Sequence, residues 1–383
     1  MSEPREIRIV IFCQIEVKNF YDFFAKLLSE TCWDKNNFGQ FSRSDVCMLG
    51  ILDANISLAR AGAVAQYVQG IVIFCGGQSL KGIHRDCLMY NPKADSWANF
   101  TELLKKRDEA SIANAGNITY IIGGSGEKTT EYIDMKTFSL DNVKHEDSEE
   151  NTFIPKSRQK SSNTIQNLPE WRLGPSLPQI RARACAVSIG SDKILLIGGH
   201  DNSSLTPLSS TYQLDVDGGK WREAASMIEP RKDHACLYVE LETTDGVLVT
   251  GGLDSNGQVL HTAEFYDIKE KKWTQISSMK IGRTEHTMAL IYGIPTVIGG
   301  RLLEKHYFLY LFNMYLPFHL GLSGTEFLSS IEQFDKSSAS WNVPLQRDWR
   351  IINHVLNSAR YEMAVASIPI SQVGVSLLGN QLI

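Results

Sequence analysis

The chain has 383 residues, 43% hydrophobic and 21% charged, with a formal net charge of −5. A mild negative balance excludes a broad nucleic-acid-binding surface. Seven cysteines without a C-x-x-C pair point neither to a disulfide framework nor to a zinc site, and buried free thiols are expected at Cys75, Cys185 and Cys236.

Residues 1–44 stand apart from the rest of the chain. The apolar run Ile9–Cys13 is short and is followed at once by Gln14, Glu16 and Lys18, which does not read as a signal peptide. The expected location is therefore cytoplasmic. The triplets beginning at Asn55, Asn99, Asn117 and Asn202 fit the glycosylation pattern and keep a secreted parent with a missing start as the alternative. Val17, Phe20, Tyr21, Phe24, Leu27 and Leu28 recur at helical spacing, so 16–30 is expected to be an amphipathic helix. It packs on the side of the main domain or serves as a docking or oligomerisation segment.

From residue 45 onward one unit recurs. It starts at an arginine, runs through two β-rich segments and ends in Gly-Gly, as in RTEHTMALIYGIPTVIGG from Arg283. Copies begin at Arg60, Arg107, Arg181 and Arg231, and a decayed one at Arg360. The first glycine follows the arginine by 16 residues in three copies, at 60→76, 107→123 and 283→299. After each Gly-Gly comes an apolar residue followed by Asn or Asp, as at Tyr90–Asn91, Leu214–Asp215 and Tyr266–Asp267. A tryptophan lies seven residues after the apolar residue, at Trp97, Trp221, Trp273 and Trp341. Trp171 plays that part after a long insertion. Each unit reads as four short strands whose sheet has two faces to cover, and stacking such sheets around an axis covers both.

This series of Arg, Gly-Gly, apolar-Asx and Trp resembles the Kelch repeat over roughly residues 45–383. The resemblance implies an all-β fold, a six-bladed Kelch-type β-propeller. The sixth unit ends after two strands, so the ring is expected to close with strands from both termini, Asp45–Leu52 being the outermost. Two insertions interrupt the spacing. Residues 136–170, polar and charged, read as a loop between the third and fourth strands of blade two. Residues 301–328 contain the strongly apolar Tyr307–Leu322, which at sixteen residues, with Pro317 and His319 inside, is short for a membrane span and reads as a cover or a partner-binding patch.

Antiparallel alternation puts the loops bearing Arg60, Arg107, Arg181, Arg231, Arg283 and Arg360 on one rim with the loops after each Gly-Gly. Two readings follow. The arginines tie blades together through carbonyls and acids, or they grip a carboxylate. Arg183 stands where other units carry Glu109, Asp233, Glu285 and Glu362, and gives its blade a second arginine. In adaptor members of the Kelch family this face captures acidic peptides, so these seven arginines are the expected binding residues for a protein or acidic peptide. No cofactor, metal, nucleic acid or membrane partner is expected, and the chain reads as a non-enzymatic scaffold of the ubiquitin-ligase-adaptor or cytoskeletal, actin-binding type. The alternative is a Kelch-like enzyme acting on a sugar, an epimerase or oxidase, for which His84, His200, His261, His234 and His286 are the available imidazoles.

Overall fold

A computed structural model describes residues 7–12, 49–51, 60–79, 81–94, 96–139, 168–240, 244–291, 294–303, 325–327, 330–334, 349–355 and 364–369. Within them every element is a strand. Near the N-terminus are β1 (Ile7–Phe12) and β2 (Leu49–Ile51). Blade one comprises β3 (Ala61–Val68), β4 (Ile71–Ser79), the short β5 (Gly82–Ile83), β6 (Cys87–Asn91) and β7 (Ser96–Asn99). Blade two runs β8 (Ser111–Ala115), β9 (Ile118–Ile122), β10 (Thr130–Asp134) and β11 (Arg172–Leu173). Blade three is β12 (Cys185–Ser188), β13 (Lys193–Ile197), β14 (Thr211–Asp215) and β15 (Lys220–Ala224). Blade four follows with β16 (Ala235–Glu240), β17 (Asp245–Thr250), β18 (Ala263–Asp267) and β19 (Lys272–Ile276). In blade five, β20 (Thr287–Ile291) and β21 (Ile294–Ile298) pair onward to β24 (Ser330–Phe334) and β25 (Trp349–Val355). Between them β22 (Arg301–Leu303) and β23 (Thr325–Phe327) form a two-stranded ladder at the base of the second insertion. Last comes β26 (Ala364–Pro369).

All pairings inside the blades are antiparallel meanders, and the blades stand as a β-propeller. The first strands neighbour one another in the order β3, β8, β12, β16, β20, and β26 lies beside both β20 and β3. Second strands such as Lys193–Ile197 are nearly continuous apolar runs because adjoining blades cover both their faces. Fourth strands such as Lys220–Ala224 are mostly exposed and bury their tryptophan, as the outer edge demands.

The tryptophans occupy the outer wedges between blades. The indole N–H groups of Trp171, Trp221, Trp273 and Trp349 donate to the carbonyls of Thr101, Pro175, Ala225 and Ser277 in the preceding blade, at 3.1, 3.0, 2.8 and 3.0 Å. A large ring fills the splay and its one polar atom is satisfied across the seam.

Several expectations are corrected. The described residues hold five full blades, not six. The remaining sheet has three strands, with β26 antiparallel to β1 and β1 parallel to β2. Leu49–Ile51, inside the segment expected as the outermost strand, pairs with Ile7–Phe12, which lies in the stretch read as an extension. In blade five the tryptophan opposite Phe334 is Trp349, fully buried, because the chain inserts extra residues before its fourth strand. Trp341 lies outside the described residues, as do the expected helix 16–30, most of the first insertion and Tyr307–Leu322. The free-thiol expectation also fails: Cys75 is bridged to Cys87, and Cys185 to Cys236. The first pair faces across β4 and β6, and the second joins the inner strands of blades three and four. Strand register creates both pairs, which no short cysteine spacing announces.

Candidate functional site at the arginine-bearing face

The loops after each Gly-Gly and the loops entering each blade do share one face, packed together by backbone hydrogen bonds. Arg107 N–H donates to His84 O at 3.0 Å, Arg231 N–H to Leu208 O at 3.2 Å and Arg283 N–H to Leu260 O at 3.1 Å. Each arginine is also wound into a repeated interlock. In blade two, the Arg107 Nη1 donates to Gly123 O at 2.6 Å and Thr129 O at 2.8 Å, while Nε and Nη2 reach Glu131 Oε1 at 3.1 and 3.0 Å. Arg231 repeats this with Gly251 O at 2.9 Å and Glu264 at 2.8 Å, and Arg283 with Gly299 O at 2.8 Å and Glu332 at 2.9 Å. Arg181 reaches Gly198 O at 2.6 Å, and Arg60 reaches Gly76 O at 3.1 Å.

The main chain of the same arginines locks the seam with the preceding blade. Gly77, Gly124, Gly199 and Gly252 donate their N–H groups to the carbonyls of Arg107, Arg181, Arg231 and Arg283 at 2.7 to 2.9 Å. A Cβ on Gly123 would stand 2.3 Å from Arg181 O, which no side chain tolerates. Gly-Gly therefore marks the closest approach of two blades, with both glycines in the left-handed region.

The glutamates near the start of the third strand complete the interlock, and sequence reading missed them. Glu131, Glu264 and Glu332 are fully buried. Each accepts two backbone N–H groups from the loop ahead of its arginine: Leu104 and Lys105, Ile228 and Glu229, Lys280 and Ile281. The signal was present as TEYID, AEFYD and SIEQF. Blades one and three carry Leu88 and Tyr212 there. Arg181 lies 4.8 Å above the Tyr212 ring, and burial lowers its pKa.

Arg60, Arg107, Arg181, Arg231 and Arg283 are thus buried, 5% exposed or less, with their donors directed into their own blades. The guanidinium groups of these five expected binding residues are occupied by contacts inside their own blades. Arg360 lies outside the described residues.

Arg183 is different. Gly62, Glu109, Arg183, Asp233 and Glu285 occupy the same place in blades one to five, all with left-handed backbone, φ +53° to +63°. That conformation points each N–H at the carbonyl of its counterpart in the preceding blade, Glu109 to Gly62, Arg183 to Glu109, Asp233 to Arg183 and Glu285 to Asp233, at 2.9 to 3.1 Å. The result is a belt of hydrogen bonds running from blade to blade. Among the described belt residues Arg183 is the only base, pairing with Glu109, with Asp233 at 3.2 Å and with Glu285 at 3.6 Å. Burial alone raises the Glu109 pKa, but the Arg183 guanidinium outweighs it and holds the carboxyl below its ordinary value. With three carboxylates around it, Arg183 serves the belt rather than an acidic peptide.

Among its polar residues this face presents four large apolar side chains. Of six exposed large hydrophobic residues among the described ones, Ile83 and Leu205 sit in loops after Gly-Gly, and Leu104 and Ile228 in loops ahead of an arginine. The other two, Leu173 and Ile351, lie on outer strands. The histidines separate by environment. His84 sits in the loop cluster of blade one, His200 Nδ1 contacts Asp201 O at 2.8 Å, and His234 and His286 are buried at the starts of β16 and β20. Among the described residues no three His, Cys, Asp or Glu side chains gather in a group able to hold a metal ion.

Comparison with known proteins adds an independent line. The Kelch motif matches residues 181–228 and 245–280, which are blade three and most of blade four. An F-box/kelch-repeat protein of Arabidopsis thaliana is 40% identical over 101 residues, covering 26% of this chain and 24% of that protein. Kelch-like protein 7 of Rattus norvegicus is 25% identical over 280 residues, 60% of this chain and 41% of its own length. Alpha-scruin of Limulus polyphemus is 27% identical over 163 residues, 40% of this chain and 17% of its own length. The chain spans less than half the length of each of these relatives.

Proposed function

We propose that this chain, which belongs to the Kelch-repeat family, is a protein-interaction scaffold that takes its partner on the loop face around the inner strands. The observation that carries the reading is the concentration of exposed apolar side chains there: Ile83, Leu104, Leu205 and Ile228 stand on loops pinned by buried Arg, Glu and Gly-Gly contacts. Apolar anchors on a pre-ordered surface bind without a large ordering cost. The partner is therefore gripped by apolar contact rather than by the arginines. Similarity to proteins named as kelch-repeat and Kelch-like supports a binding role of the adaptor type over an enzymatic one. We further propose that the three-stranded sheet of β26, β1 and β2 closes the ring of five blades, standing between blades five and one. The position of β26 beside both β20 and β3 supports this closure.

The test compares two folded variants in affinity capture with mass spectrometry. Replacing Ile83, Leu104, Leu205 and Ile228 by serine is expected to abolish capture of the proteins held by wild type. Replacing Leu173 and Ile351 by serine is expected to leave them bound. Equal capture by wild type and the loop variant would move binding off this face.

A further inference from the structure

Blade one neutralises its arginine differently from its neighbours, and the difference builds a second kind of chemistry. Where blades two, four and five bury Glu131, Glu264 and Glu332, blade one has Leu88. Its carboxylate comes two residues earlier, from Asp86, at the place held by Thr129, Ser210, Thr262 and Ser330 in the other blades. That shift moves the carboxylate out of the strand and into the rim loop, where its side chain is 41% exposed. One oxygen, Oδ2, accepts from Arg60 Nη2 at 2.6 Å. The other, Oδ1, is left to face the His84 Nδ1 at 3.0 Å. With Nδ1–H donated to Asp86, the His84 Nε2 is an acceptor, and the hydroxyl of Ser79 lies 2.6 Å from it. The hairpin holds these groups in register: β4 and β5 pair Gln78 with Ile83 and Ser79 with Gly82, and His84 N–H donates to Gly77 O at 2.8 Å.

We propose that Ser79 is an activated nucleophile that accepts the acyl group of a small carboxylic ester, with His84 as its general base and Asp86 as the group that orients the imidazole. A nucleophile within hydrogen-bond reach of a base, and the base fixed by a third group, is the arrangement this chemistry requires. Ser79 Oγ forms a bond to the ester carbonyl carbon while its proton passes to His84 Nε2. The adduct collapses by breaking the carbon–oxygen bond to the alcohol, which leaves with that proton. Water then attacks the acyl-serine, gives its proton to His84, and frees the carboxylic acid as Ser79 Oγ is reprotonated. The Lys81 N–H donates to Ser79 Oγ at 3.1 Å and holds the hydroxyl in place beside the imidazole. Ser79 and His84 are both half-buried on the rim, within reach of solvent.

The experiment exposes the full chain to a fluorophosphonate probe and maps the modified peptide, alongside Ser79→Ala and His84→Asn variants whose melting curves confirm folding. Wild type is expected to carry the phosphonyl group on Ser79. Ser79→Ala should lose it, and His84→Asn should slow its appearance by about 10²- to 10⁴-fold, with hydrolysis of p-nitrophenyl acetate falling in parallel. A wild-type chain with no label on Ser79 overturns the proposal without reference to any variant. Labelling at an unchanged rate in His84→Asn overturns it equally, since a merely structural hydrogen bond would leave Ser79 no more reactive than any other serine.

Discussion

Blades three and four carry the same arginine, Gly-Gly and tryptophan, yet they treat the buried charge differently. In blade four Arg231 meets Glu264 at 2.8 Å, both side chains at most 1% exposed, and Glu264 also anchors two N–H groups of the preceding loop. In blade three Arg181 has only carbonyls, the Ser210 hydroxyl and the Tyr212 ring. The interlock of guanidinium with the Gly-Gly carbonyl is thus the invariant part of the repeat. The glutamate is an addition that couples charge neutralisation to loop geometry.

Breaking the two arginines separately should expose that difference. Arg231→Met leaves Glu264 buried without its counter-charge and is expected to cost about 3–5 kcal/mol in denaturant unfolding. Arg181→Met strands only carbonyl oxygens and should cost about 1–3 kcal/mol. Equal losses would show that the ion pair adds no more than the hydrogen bonds do.

The seam between the same two blades carries the Cys185–Cys236 bridge, which closes 51 residues, whereas Cys75–Cys87 closes 12 inside blade one. Replacing Cys185 and Cys236 by serine is expected to lower stability by about 2–4 kcal/mol, and the Cys75, Cys87 pair by less. Thermal melting with and without reductant checks this, together with a count of alkylated thiols in the native chain. Four free thiols at these positions in the unreduced protein would contradict both bridges.

The smallest effect separates blades four and five from the first three. His234 and His286 stand three residues after their arginines, where blades one to three have Ala63, Ala110 and Ala184. Burial, then the Arg283 and Arg231 charges, pushes the His286 pKa down to about 3, and burial with Arg231 lowers that of His234 well below its usual range. The folded state therefore holds these rings neutral while the unfolded chain protonates near 6.5. Their contribution is fully present above about pH 6.5 and is lost progressively on acidification below it. In a pH series of denaturant melts, His286→Ala should flatten the acid side of the curve. An unchanged slope would mean that other groups set the acid sensitivity.

How far the sequence could be read depended on repetition. The arginines, the Gly-Gly pairs and the tryptophans Trp221 and Trp273 were legible because the same series recurs at equal or nearly equal offsets. Trp349 was not, since an insertion moved blade five's ring away from the seven-residue rule and left Trp341 as a decoy. Glu131, Glu264 and Glu332 recur too, but in only three blades, and an acidic residue within a strand gives no hint that it turns inward to an arginine.

The amino-acid sequence by itself determined the unit of the fold. Four strands with both faces to cover, a glycine pair where a Cβ has no room, and a tryptophan for each outer wedge follow from local sterics and apolar burial. Only the tertiary structure decided what the charged and sulfur-bearing residues do. Whether an arginine is spent inside its blade, as Arg107 is, or joins a belt, as Arg183 does, depends on groups 24 to 74 residues away. The same holds for Cys185 and Cys236, which strand packing brings together. Sequence spacing encodes periodic contacts well, and it is silent on pairings made across a seam.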